Sequence, residues 1–159
     1  MGITHQNLAR LFESAKTVFE PDHKDVWSVF HSYAFDFSVW EIFGALVSGG
    51  RAVVVPSIVA RDTEAFHNLL VREDVTVLSQ TPTAFQALVQ VDIAATAAAH
   101  ALRHVIFGGE KPEPTALDPV VRAREDQSPQ LVNMYGLAQP TVHVTWRDPA
   151  AEGTLRPHR

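Results

Sequence analysis

Cysteine is missing altogether from this 159-residue chain, which excludes a disulfide framework, a thiol nucleophile and a cysteine-based zinc site and suits a reducing cytoplasm. A basic excess is missing too. Thirteen Lys and Arg stand against 18 Asp and Glu, for a formal net charge of -5. No positive field is available to attract a nucleic-acid backbone or an anionic lipid surface, so neither nucleic acid nor membrane is expected as a partner. No apolar run approaches the roughly 20 residues of a membrane span. The N-terminal MGITHQ has no basic region followed by an apolar stretch, and Gln6 stands where a myristoylation motif requires Ser or Thr. No tandem repeat is visible. These absences predict a soluble, cytoplasmic protein. What is present is 46% hydrophobic residues, enough for one core that buries about two-thirds of the unfolded surface.

The apolar residues recur in alternating helix-like and strand-like segments. Thr4 is placed to cap a helix carrying Leu8, Leu11, Phe12 and Ala15 on one face, and Pro21-Asp22 marks a turn. Val26 to Phe30 reads as a strand; Ser38 and Glu41 then form an S-x-x-E capping box for a helix that stops near Gly49-Gly50. Ala52 to Val55 is a strand, and Asp62-Thr63 starts a helix containing Phe66, Leu69 and Leu70. Val75 to Leu78 is the next strand, and Thr81-Pro82-Thr83 opens a helix through Phe85, Leu88 and Val89, with Ala94 to Ala101 helical as well. Leu102 to Phe107 is a strand, Leu117 to Arg124 a helix, and Leu131 to Met134 and Thr141 to Trp146 are the last strands. The polar tail, residues 147–159, is expected to fray. This alternation, with several continuously apolar strands, predicts an α/β layered fold with a largely parallel sheet and flanking helices. In such sheets ligands lie outside the carboxyl ends of the strands.

The segments that follow those strands are HSYAFDFSVWE, SQTPT, GGE and NMYG. Singly, each has an ordinary structural explanation: Asp36, for example, could merely support a helix N-terminus. Together and in this order they resemble the core motifs of the adenylation domains of nonribosomal peptide synthetases, within the adenylate-forming superfamily that includes acyl-CoA ligases and luciferases. The resemblance runs through GITHQNL, HSYAFDFSVWEIFGALVSGGRAVVVP, VTVLSQTPTAF, LRHVIFGGE, VNMYG and TVHVT, so residues 1–146 are identified as part of the family's large N-terminal subdomain. It implies activation of an amino acid with ATP and Mg²⁺, release of pyrophosphate, and transfer to the phosphopantetheine thiol of a peptidyl carrier protein. The carboxylate of Asp36 in FDFSVWE suits an α-ammonium, which a fatty acid lacks, and a buried carboxylate facing a fatty chain would be costly. That argues against the acyl-CoA ligase branch.

By this resemblance the amino-acid pocket is lined by Asp36, Phe37, Trp40, Ser79, Ile106, Gly108, Met134, Val142 and His143. Asp36 would take the substrate ammonium in a charge-assisted hydrogen bond. Phe37, Trp40, Ile106, Met134 and Val142 would form apolar walls, Gly108 would leave space, and Ser79 and His143 would offer hydrogen bonds. The set is similar to the family's threonine-selecting signature except at Ser79, where that signature has Asn. It implies L-threonine, with serine or another small hydroxy amino acid as the alternative. Core packing is the better explanation of each aromatic and aliphatic member taken without the motif order, and strand alternation alone leaves His143 an ordinary histidine.

On the nucleotide side the resemblance assigns Gly108, Gly109 and Glu110 to the segment passing one face of adenine and Tyr135 to the other face. Asn133 is placed either to hydrogen-bond the base or to end a strand. GLAQP then departs from the family: Ala138 and Gln139 stand where a Thr and the Mg²⁺-holding Glu are usual, and a neutral amide oxygen is a poorer ligand for that hard cation. The phosphate loop is expected upstream of Met1, and the ribose-binding Asp and catalytic Lys beyond Trp146. No catalytic residue and no metal ligand is therefore assigned within the chain, and nucleotide and metal binding are expected to be weak or absent. A fragment inactive by itself is one reading. A noncatalytic amino-acid or nucleotide-binding module, or an interaction module, is the other.

Overall fold

A computed structural model describes residues 4–95, 101–110, 129–135 and 145–147. They form a six-stranded sheet in the order β2-β1-β3-β4-β5-β6, with five parallel strands and an antiparallel sixth at the edge. The strands are β1 (Val26–Val29), β2 (Arg51–Val54), β3 (Val77–Gln80), β4 (His104–Phe107), β5 (Gln130–Tyr135) and β6 (Thr145–Arg147). The helices between them are α1 (His5–Phe19), α2 (Phe37–Ser48), α3 (Ser57–Ala60), α4 (Thr63–Arg72) and α5 (Pro82–Ala95). The expected α/β class with a largely parallel sheet is what the chain adopts.

The sheet divides the core into two clusters. Trp27, Val77, Ile106, Val132 and Met134 pack with Phe37, Trp40 and Ala45 of α2 and with Leu11, Phe12, Ala15 and Phe19 of α1. Leu78, Val105, Phe107 and Leu131 pack on the other side with Phe66, Leu69 and Leu70 of α4 and Phe85 and Leu88 of α5. Strand alternation produces this division, because successive side chains leave opposite faces. The central strands β3 and β4 are buried at every residue, as strands covered by helices on both faces must be.

The local signals at the helix ends behave as their chemistry dictates. Thr4 and Asn7 form a reciprocal capping box at α1. Asp62 caps α4 by accepting from the N–H groups of Glu64 and Ala65 at 3.1 and 3.0 Å. Gly49, at φ 74°, closes α2 in the left-handed conformation. At the amino ends of the strands a buried carboxylate ties three segments together. Asp25 accepts from Thr76 Oγ1 at 2.7 Å, from Arg103 Nη1 at 2.8 Å and from the Asp22 N–H at 3.0 Å.

Three expectations need correcting. Ser38 and Glu41 make no capping box: Asp36 is the cap residue, without a side-chain cap bond. The Ser38 hydroxyl instead donates to the Phe35 carbonyl at 2.8 Å, and Glu41 turns to His31. The strand expected from Val75 starts two residues later, because the Val75 N–H goes to the Leu70 carbonyl at the end of α4. Helix α5 runs to Ala95, and Ala101 is already outside it. The short α3 was not expected. The proposed helix Leu117–Arg124, the first part of the strand Thr141–Trp146 and the tail beyond Arg147 lie outside the described residues.

Candidate functional site

Because the five parallel strands run the same way, the segments after β1, β3 and β4 and the end of β5 lie at one edge of the sheet, where α/β proteins bind ligands. The residues expected to line an amino-acid pocket converge there on the face of α1 and α2. Ser79 and Ile106 are register partners in β3 and β4, and Ile106 pairs in turn with Val132 of β5. Met134 follows Val132 by two residues and so shares its face. Exposures of 1% for Ser79, 0% for Ile106 and 3% for Met134 put this row inside the molecule.

Helix α2 closes over the row. Trp40 has no exposed surface; its indole stacks on Phe12 at 5.1 Å and meets Trp27 edge-on at 5.5 Å. Phe37, also buried, lies against Gly108 so closely that a Cβ there would sit 3.0 Å from Phe37 Cε1. The glycine thus makes room for the phenyl ring itself. Asp36, half-buried, precedes Phe37 as the cap residue of α2. Seven of the nine expected pocket residues are therefore brought together, whereas Val142 and His143 lie outside the described residues.

The residues expected on the nucleotide side gather at the same edge. Gly109 has φ 82°, a conformation that glycine adopts without strain, and the Gly108 N–H extends the ladder to the Gln80 carbonyl at 3.3 Å. Glu110 accepts a hydrogen bond from Thr83 Oγ1 at 2.6 Å, which joins the loop after β4 to the first turn of α5. Asn133 pairs in register with Phe107, and alternation directs it to the face opposite Met134. Tyr135 is the last residue of β5. Gln139 lies outside the described residues, among which no group of three or more His, Asp or Glu could hold a metal ion.

Sequence reasoning missed one pair. His31, two residues beyond β1, places Nδ1 2.8 Å from Glu41 Oε1 and donates its backbone N–H to Oε2 at 3.1 Å. Burial pushes the Glu41 carboxyl above its ordinary value, and the hydrogen bonds from His31 oppose that rise. The available signal was the spacing of Phe37 and Glu41, four residues apart and so on one face of α2.

Among the described residues no helix is long and apolar enough to cross a membrane. The sequence model of the AMP-binding enzyme family matches residues 2–158. The chain is 49% identical over 146 residues to a dimodular nonribosomal peptide synthase of Bacillus subtilis (strain 168), covering 91% of this chain and 6% of that protein. It is 46% identical over 145 residues to syringomycin synthase SyrB1 of Pseudomonas syringae pv. syringae, covering 91% of this chain and 24% of that one. The chain thus spans less than a quarter of the length of these relatives. Its fold is similar to that of the Vibrio cholerae adenylation domain AlmE, crystallised with glycyl-adenosine-5'-phosphate, at TM-score 0.79 and 22% identity over 96% of this chain and 28% of that one. The nonribosomal peptide synthetase FmoA3 with AMPPNP bound gives TM-score 0.80 and 22% identity over 93% of this chain and 16% of that one. The chain therefore belongs to the AMP-binding enzyme family, in a segment shared with nonribosomal peptide synthetases and folded like adenylation domains.

Proposed function

We propose that this chain is the amino-acid-selecting part of a synthetase adenylation domain and that its substrate is a small hydroxy amino acid, L-threonine first. One observation supports this reading above the others: Asp36, Phe37, Trp40, Ser79, Ile106, Gly108 and Met134, drawn from separate segments, gather at the carboxyl edge of one sheet face. In this reading Asp36 holds the substrate ammonium and the buried Ser79 hydroxyl meets the substrate hydroxyl within an apolar wall. A site built around such a hydroxyl rejects an analogue lacking it far better than an apolar slot rejects one methyl group. Val142 and His143 complete the wall, and Gly108, Gly109, Glu110, Asn133 and Tyr135 border the adenine of ATP. In the whole cytoplasmic synthetase the activated amino acid passes to a phosphopantetheine thiol on a carrier protein.

We also propose that these 159 residues alone do not adenylate. Gln139 replaces the acidic Mg²⁺ ligand, and neither the phosphate loop nor the catalytic Lys of the family is found among them. Loss of a single electrostatic group of this kind costs about 10² to 10³ in kcat. A noncatalytic role in holding amino acid or nucleotide is the second reading, and the preserved Asp36 region is the observation that favours it. Titration calorimetry with threonine, serine, valine and AMP, run beside threonine-dependent pyrophosphate exchange, tests both. Binding of threonine in preference to valine without exchange is the expected result. Exchange above a protein-free control would remove the inactivity claim, and equal affinity for valine would remove the hydroxyl claim.

A further inference from the structure

The loop that carries Asp36 is held from one side by a buried acid. Glu41 has no exposed surface, and a carboxylate in such a place is costly unless it is paired. Both of its oxygens serve His31, at 3.1 Å to the backbone N–H and 2.8 Å to Nδ1. The imidazole in turn lies among the rings on either side of Asp36, 5.4 Å from Phe35 and 4.9 Å from Phe37 between centroids. Asp36 itself makes no side-chain cap bond to α2. The residues on either side of it in the chain both rest on His31. On the far side Phe37 is stopped by Gly108, whose missing Cβ would stand 3.1 Å from Phe37 Cζ.

We propose that His31 and Glu41 form a positioning pair that clamps the Phe35-Asp36-Phe37 segment and thereby sets the affinity for the ammonium end of the amino acid. This rests on the reading of Asp36 given above. Neither member touches the substrate. His31 acts through the two phenyl rings, and Glu41 acts through His31.

The test uses the 159-residue chain and threonine calorimetry at a temperature where circular dichroism shows every variant folded. Asp36→Ala is the control. His31→Phe keeps an aromatic ring against Phe35 and Phe37 but offers Glu41 only the backbone N–H of residue 31; His31→Asn restores an N–H close to the position of Nδ1 but removes the ring. Glu41→Gln keeps the size of the acid and one oxygen acceptor. His31→Phe is expected to weaken threonine binding about tenfold, the worth of one charge-assisted hydrogen bond, His31→Asn, which regains the bond to Glu41 but loses the ring contacts, to weaken it at least as much, and Glu41→Gln to weaken it less than either. Should His31→Phe fail to fold, the contrast between Glu41→Gln and His31→Asn carries the same reading. Parent binding that is absent, or that survives Asp36→Ala, sinks the reading of Asp36 and the clamp with it. Binding that depends on Asp36 but is unchanged in folded His31→Phe and Glu41→Gln sinks the clamp alone.

Discussion

Gly44 in α2 lies flat against the indole of Trp27 in β1: a Cβ on the glycine would stand 2.3 Å from Trp27 Cζ3 and 2.5 Å from Cη2. The indole is buried, at 1% exposure, and cannot swing away. The absence of one methyl group thus sets how closely the site-bearing helix approaches the sheet. Gly44→Ala should lower stability by about 2 kcal/mol or more, even though alanine is the better helix former by up to about 1 kcal/mol. A urea midpoint equal to or above the parent's would contradict this.

Asp25 predicts an asymmetry. Removing the buried acid takes a partner from Thr76 Oγ1, the Asp22 N–H and Arg103 at once, whereas removing Arg103, whose side chain is 43% exposed, leaves the acid two donors. Asp25→Ala should cost about 2 to 4 kcal/mol and Arg103→Ala less than half of that. Equal losses in paired denaturant titrations would show that the tie is not organised around the acid.

His104 predicts a pH dependence. Burial, then the nearby Arg103 charge, holds its imidazole below the ordinary value of 6.5, with Asp25 opposing. A base depressed in the folded state stabilises above its unfolded value and loses that stability as the pH falls below about 6.5, where the unfolded chain takes up the proton first. Melting temperature should therefore decline on acidification from pH 7 more steeply in the parent than in His104→Phe. Parallel profiles would rule the residue out.

Ser79 predicts a selectivity change. Ser79 is buried in β3, the strand between β1 and β4, and on the proposed reading its replacement by alanine leaves nothing to meet a substrate hydroxyl. Ser79→Ala should reduce the preference for threonine over valine by about tenfold while leaving valine affinity nearly unchanged. A retained preference would move the hydroxyl contact to another residue.

Much of this fold is legible in the sequence because its signals are local. Thr4 and Asp62 cap helices with their own side chains, and the apolar run of β4 marks a strand covered on both faces. The candidate site is legible only in part, and Glu41 shows why. An S-x-x-E spacing describes a capping box equally well whether the acid turns back to its own helix end or reaches ten residues upstream to His31. Tertiary packing makes that choice. Val75 and Thr76 are similarly strand-like by type, yet Val75 is held by Leu70 and the paired strand begins at Val77. The closeness of Gly44 to Trp27 has no local signature, since the two residues come from different elements.

The alternation in β3 carries a consequence for length as opposed to composition. Ser79 faces α2, while its neighbours Leu78 and Gln80 leave the sheet on the side of α4 and α5. Shortening or lengthening the approach to this strand by one residue would offer the site an isobutyl group or a carboxamide in place of the hydroxyl, and would strand a polar side chain in the opposite core. On the proposed reading, such a site can exchange its side chains one at a time and so change what it holds, but it has no tolerance for insertion or deletion.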